Sequence, residues 1–218
     1  MQGVGTGVFF AHRGRAFVLT ASHVLRDYIH TDELLIGGPS TVRLNQRFFC
    51  STDEDAYDVG FVPLTDEQRA VLTDVTFVTI ENLDLSDDCT QRPYYVVGYR
   101  SDDNEPEGRP TTVVAEWSVY AARSAPPARY EERRLSPTDR LLLMFDRRQL
   151  HGPDGPVDPE PAPEGMSGSG VWRITPDPLS DTLAAIVELH TETGRLMYAA
   201  RLRALVQSLN DYVDGRLE

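Results

Sequence analysis

Three short segments place residues of complementary chemistry beside apolar runs. In Val18-Leu19-Thr20-Ala21-Ser22-His23-Val24-Leu25 an apolar strand leads into a histidine at the start of a short helix. In Tyr57-Asp58-Val59-Gly60-Phe61-Val62-Pro63-Leu64 an aspartate stands at the mouth of another apolar strand. In Pro163-Glu164-Gly165-Met166-Ser167-Gly168-Ser169-Gly170-Val171-Trp172 a serine lies in a glycine-rich turn that feeds a third. A serine hydroxyl is a weak nucleophile at neutral pH and needs an adjacent base. Histidine supplies one, because its pKa lies near neutrality. A buried aspartate fixes the imidazole tautomer and stabilises the imidazolium. Taken singly, each segment has a plainer reading: a structural histidine, a strand-end cap, a flexible turn. Together, in the order His23, Asp58, Ser167, they point to nucleophilic acyl transfer.

Side chains from three distant stretches can meet only if a framework of strands carries them. Short apolar, β-branched and aromatic runs occupy 8–11, 15–20, 33–36, 41–44, 59–64 and 75–80. Others follow at 94–99, 111–120, 141–145, 170–174, 183–189 and 196–200. Gly, Pro, Asp and Asn punctuate them, and His12-Arg13-Gly14 is a turn of hairpin length. Many short strands of this kind predict an all-β barrel or sandwich. Helical segments are expected at 21–28 and 201–213. In the second, Leu202, Leu205, Val206, Leu209 and Val213 share one face, which should dock on the β-body. The polar, acidic stretch 81–93 reads as a linker between two β-halves, 1–88 and 89–218. Two irregular loops are expected, 101–110 and 147–164, the second holding five prolines. Glu131-Glu132-Arg133-Arg134 reads as a solvated loop.

The three segments resemble those of the chymotrypsin-like (trypsin-like) serine proteases. Leu19-Thr20-Ala21-Ser22-His23-Val24 is similar to that family's Leu-Thr-Ala-Ala-His-Cys segment around the catalytic histidine. Asp58-Val59-Gly60-Phe61-Val62-Pro63-Leu64 resembles its Asp-Ile-Ala-Leu-Leu segment, and Gly165-Met166-Ser167-Gly168-Ser169-Gly170 its Gly-Asp-Ser-Gly-Gly-Pro turn. Ala185-Ile186-Val187-Glu188-Leu189-His190 is similar to the Gly-Ile-Val-Ser-Trp-Gly strand that pairs with substrate. Met197-Tyr198-Ala199-Ala200-Arg201-Leu202 is similar to the Val-Tyr-Ala-Arg-Val segment before the closing helix.

The resemblance implies two six-stranded antiparallel β-barrels with a C-terminal α-helix and a cleft between the halves. His23 and Asp58 come from the first half and Ser167 from the second. It implies peptide-bond hydrolysis through an acyl-enzyme with no metal or organic cofactor. The backbone N–H groups of Gly165 and Ser167 would form an oxyanion hole. Glu188, Leu189 and His190 would offer an edge strand to an extended peptide. Ser169 fits the nucleophile frame less well than Ser167. The departures matter too. Val24 replaces the family's half-cystine, the Ile-Val-Gly-Gly activation start is missing, and Met166 replaces the aspartate that would receive it. The style is that of bacterial HtrA-type or intracellular trypsin-like peptidases, and activation in trans by a protein partner is an expectation. Pro161 stands where a trypsin-type specificity aspartate is required, so that preference does not carry over.

Composition narrows the partners. The chain has 218 residues, enough for a core that buries roughly 70% of the unfolded surface. With 21 basic and 34 acidic residues the formal charge is −13. That argues against nucleic acid, whose phosphates need clustered cations, and against an anionic membrane surface. Met1 to Gly7 does not read as a secretory signal, and Cys50 and Cys89 read as reduced structural thiols. A cytoplasmic location is therefore expected. His12, His30 and His151 read as surface groups, and no zinc-type spacing occurs. The competing reading is a catalytically silent fold that binds peptides without cutting them.

Overall fold

The computed structural model describes residues 5–28, 34–37, 41–44, 47–51, 57–87, 89, 92–100, 117–152, 154–156, 164–177, 180–191 and 195–217. In chain order the first half carries β1 (Val8–His12), β2 (Arg15–Thr20), α1 (Ser22–Tyr28), β3 (Leu34–Gly37), β4 (Thr41–Leu44), β5 (Phe49–Cys50), β6 (Gly60–Leu64) and α2 (Asp66–Val71). After a 3₁₀ turn at Ile80–Asn82 come β7 (Pro93–Tyr99), β8 (Trp117–Ser124), α3 (Pro127–Arg133) and β9 (Arg140–Gly152). The chain ends with β10 (Gly155–Pro156), β11 (Gly170–Arg173), β12 (Thr182–Thr191), β13 (Leu196–Arg201) and α4 (Leu202–Val213).

Period-2 patterning makes these strands. In β8, Ser118, Tyr120, Ala122 and Ser124 are buried while the residues between them face outward or lie half-exposed. Strands β9, β13, β12, β11, β7 and β8 pair in that order, and β8 pairs back onto β9, closing a six-stranded antiparallel barrel. Closure removes the unpaired edges that an open sheet presents. In the first half, β1, β2, β6 and β5 form one sheet and β3 and β4 a hairpin. The Arg13-Gly14 turn has positive φ at both residues, +46° and +78°, the twist-matching hairpin turn.

The core has three parts. Tyr94, Val96, Tyr120, Leu142, Met166 and Met197 fill the closed barrel. Val18, Leu25, Val42, Leu44, Val62 and Leu72 form the centre of the first half. Between them, Phe10, Phe17, Leu19 and Phe61 meet Leu183, Ile186 and Ala200 together with Leu202, Leu205 and Leu209 of α4. The expected docking face of the last helix is thus the wall that joins the halves. The 81–93 stretch is fastened down over part of its length: Asp84 donates its amide to Leu183 (2.8 Å) and pairs with Arg173 (3.4 Å).

Several expectations need correction. Residues 147–152 continue β9 rather than opening a loop, because they pair with β8 and turn into β10; 157–163 lie outside the described residues. The 131–134 charge run is the end of α3 and its cap, started by Pro at N1 and stopped by Arg134 in the left-handed region. Helix α2, not among the expected helices, opens with a Thr65–Gln68 capping box. Residues 75–80 make only an isolated bridge, Val78 to Phe10. His12 is half-buried, its Nε2 2.9 Å from Asn210 Oδ1 on α4. The segments 101–116 and 29–33, with His30, lie outside the described residues. Among the described residues no helix is long and apolar enough to cross a membrane.

Leu209, 1% exposed, sits in the joining wall. Leu209→Ala is expected to lower stability by about 2–5 kcal/mol through lost transfer energy and a cavity. A reduced urea midpoint at constant m-value checks this.

Candidate active site

Two antiparallel pairings bring the chemistry together. β2 pairs with β6 with Thr20 opposite Gly60, so the chain leaving β2 and the chain entering β6 lie side by side. His23, three residues beyond Thr20, and Asp58, two before Gly60, therefore meet. β11 pairs with β12 with Gly170 opposite Ile186. Ser167, three residues before Gly170, thus lies beside Glu188, two beyond Ile186.

The His23–Asp58 pair is built in detail. His23 Nδ1–H donates to Asp58 Oδ2 at 2.5 Å, and the His23 amide donates to Oδ1 at 3.1 Å. Arg26, on the same face of α1, donates to Oδ1 at 3.3 Å. Ser22, fully buried, donates its amide to the Asp58 carbonyl at 3.4 Å, and its hydroxyl meets Ser51 Oγ at 2.9 Å. The hydrogen bond to Asp58 raises the His23 pKa above 6.5, against burial, with the charges of Asp58 and Asp27 adding. Burial works to raise Asp58, but the His23 hydrogen bond and charge, the His23 amide and Arg26 outweigh it and hold the carboxyl below 3.8. With Nδ1 engaged by a carboxylate, Nε2 is the imidazole nitrogen left for chemistry. The His23 side chain is 39% exposed.

The Ser167 turn is held from both sides. Thr6 donates its amide to the Ser167 carbonyl (2.7 Å) and its hydroxyl to the Gly165 carbonyl (3.3 Å). The Gly168 amide donates to Val187 O at 2.8 Å. Gly165 and Gly168 have φ of +83° and +87°. A Cβ on Gly168 would stand 1.9 Å from Thr6 O and 2.2 Å from Thr20 Oγ1, so only glycine fits. Among the described residues, the amides of Gly165 and Ser167 donate to no partner. Ser167 Oγ donates to the Glu188 carbonyl at 3.3 Å, and no hydrogen bond joins it to His23. Ser169 is fully buried, its Oγ 3.8 Å from Met166 Sδ, and has no path to a substrate.

Glu188 is the largest departure from the sequence-based picture. Its side chain is 0% exposed and faces the interior. One carboxylate oxygen accepts the Asp58 amide and, at 3.4 Å, Arg140 Nη2. The other lies 3.1 Å from Arg140 Nε, an ionic contact without hydrogen-bond alignment. Burial pushes the Glu188 pKa up, against the Asp58 amide and Arg140. Leu189 is exposed at 46%, and beyond Ile186 no strand pairs with β12 opposite β13 among the described residues. The His190 side chain, Glu160 and Pro161 lie outside the described residues. Arg26 was legible in principle, three residues beyond His23 on one helix; Arg140 and Thr6 carry no local signal. Both cysteines are free, and no described group of three or more His, Cys, Asp or Glu is arranged to hold a metal.

No protein-family model matches this chain, and no curated protein matches it. The fold does match solved structures. A scabies mite inactivated protease paralogue, S-D1, aligns with 97% of this chain and 88% of its own at TM-score 0.54 and 12% identity. A Glu endopeptidase aligns over 95% and 89% at TM-score 0.50 and 12% identity. A structure from work on the coupled folding and binding of the intrinsically disordered Sesbania mosaic virus VPg protein aligns over 94% and 83% at TM-score 0.56 and 14% identity. The likeness is one of fold, and the fold is chymotrypsin-like.

The raised His23 pKa sets a pH window. Its stabilising contribution is complete below about 6.5, the unfolded value, and fades as pH rises through the folded one. The Asp58 contribution is present above 3.8 and fades as pH falls through its lowered value. NMR titration of the His23 ring is expected to give a midpoint above 6.5 that falls in Asp58→Asn. Gly168→Ala is expected to cost about 1–3 kcal/mol in backbone strain, plus the clash, and to lower the thermal midpoint.

Proposed function

We propose that the protein is a serine endopeptidase that uses His23, Asp58 and Ser167. The observation that carries this reading is the His23–Asp58 pair, held at the end of β2 and β6 where the Ser167 turn of the other half arrives. In the reaction, Ser167 Oγ leaves the Glu188 carbonyl for His23 Nε2. Oγ then attacks the scissile carbonyl as Nε2 takes its proton. Asp58 keeps Nδ1–H in place and stabilises the imidazolium. The unpartnered amides of Gly165 and Ser167 receive the oxyanion, each worth about 3–4 kcal/mol in such sites. His23 returns the proton to the leaving amine, and water cleaves the acyl-enzyme by the same steps in reverse order.

The open edge of β12 at Leu189 and His190 suits an extended polypeptide, which adds as a strand. We assign the halves 1–88 and 89–218 as the two units that flank the cleft. We further infer an intracellular bacterial enzyme switched on by a protein partner, because both cysteines are free and Met166 stands where the resembled family keeps the aspartate used in self-activation. One observation favours a second reading, a peptide-binding module without turnover: Ser167 rests on Glu188 rather than on His23. Resting sites of true enzymes often show long or absent catalytic hydrogen bonds, so the first reading is preferred.

A fluorophosphonate probe separates the two. The wild-type chain is expected to label, Ser167→Ala not at all, and His23→Ala at a rate reduced on the order of 10²–10⁴-fold. No labelling of the folded wild type, alone or with candidate partners, would leave the binding module as the answer.

A further inference from the structure

Among the buried charged groups that the mechanism leaves unused, Glu188 is the one that touches the site. Glu188 is a carboxylate with no solvent exposure, placed beside a second carboxylate, Asp58. Such a placement is costly unless the group is paired and given hydrogen bonds. Here it has both. Arg140, at the start of β9, supplies the counter-charge through Nε and Nη2, while the Asp58 amide fills Oε1. The backbone is shaped for this arrangement. The β12–β13 register shifts between Val187 and Leu189, so Glu188 is the extra residue of a bulge, the feature that re-aims a side chain out of the regular pleat.

We propose that Glu188, anchored by Arg140, is the positioning residue of the His23–Asp58 pair. It grips the Asp58 peptide from across the cleft, so the angle at which Asp58 meets His23 is set by the second half of the molecule. The inference rests on the protease reading and deepens it. From its own half, among the described residues, the Asp58 peptide receives only the Ser22 amide, at 3.4 Å on its carbonyl, while its amide goes to Glu188. The Glu188 carbonyl also receives Ser167 Oγ, so one residue touches both the aspartate and the nucleophile. Arg140 thereby acts twice removed from the reacting atoms. Glu188 is accordingly no recognition site for a basic substrate side chain: its charge is spent inside.

The test compares Glu188→Gln, Glu188→Ala and the double variant Glu188→Leu with Arg140→Met, which leaves no buried charge behind. Two readouts are taken on each: fluorophosphonate labelling rate against pH, and the low-field ¹H NMR signal of the His23 Nδ1–H. Among the described residues, the groups facing His23 and Asp58 are Arg26 and Asp27 of α1, Cys50 beside Ser22, and Glu188 with Arg140 beneath. Only the last two change. Removing the grip is expected to slow labelling on the order of 100-fold. The acid-side midpoint should move down toward 6.5 as the Asp58 bond loosens, and the low-field signal should shift. Glu188→Gln, which keeps an acceptor for the Asp58 amide, is expected to recover most of the rate. If Glu188→Ala fails to fold, the double variant carries the same comparison. A folded Glu188→Ala or double variant with unchanged rate, midpoint and low-field signal overturns the proposal. If the wild type does not label but its low-field signal responds to Glu188, the protease reading fails and the positioning role stands.

Discussion

The contact between the Asp58 peptide and the Glu188 carboxylate joins two chain segments 130 residues apart. Around it the rest of the cleft falls into place. On one side, the β2–β6 register delivers His23 and Asp58 to a common end. On the other, the β11–β12 register delivers Ser167 and Glu188. Thr6 ties the same two ends, through its amide to Ser167 and its carbonyl to the Thr20 hydroxyl at 2.6 Å. Antiparallel pairing is stiff along the strand, so a residue two or three positions past the last rung inherits its place with little freedom. The site depends on strand ends rather than on loop sequence.

Charge is distributed to suit. Two carboxylates, Asp58 and Glu188, lie close together in a partly buried setting, and two guanidiniums stand against them. Arg26 meets Asp58 from the solvent side and Arg140 meets Glu188 from within. The partition has a physical logic. A guanidinium keeps its charge at any working pH and offers several donors in a fixed plane, so it can offset a carboxylate without competing for protons. That leaves His23, its pKa raised by the bond to Asp58, as the imidazole of the cluster, the side chain suited to the base proposed above. The three-part core supports this arrangement mechanically. α4 buries Leu202, Leu205 and Leu209 between the halves and limits how far they can shift relative to one another.

Much of the fold was legible in the sequence. β2, β7, β11 and β13 coincide with apolar runs bounded by turn residues, and α4 follows from its single apolar face. Less local features were not legible. The 147–152 stretch looked like a loop because its Arg, Gln and His residues lack alternation; pairing with β8 makes it a strand. Residues 75–80 had a strand's composition, but among the described residues they make one bridge, Val78 against Phe10 on the edge of β1. The short helices α2 and α3 carried their signals, a capping box and a Pro at N1, in stretches too brief for periodicity to register.

Of the site, the chain by itself determined the chemical types and their order: an imidazole after an apolar strand, a carboxylate before another, a hydroxyl in a glycine turn. Those choices are local, since each is dictated by the strand end or turn that holds it. Only the tertiary structure decided which groups those residues meet. It turned the Glu188 side chain inward through a bulge, matched it with Arg140 from a different strand, and rested the Ser167 hydroxyl on the Glu188 carbonyl. Such pairings arise from registers between segments far apart in the chain, and a one-residue change of register turns a side chain to the opposite face. No local pattern of residues encodes that choice.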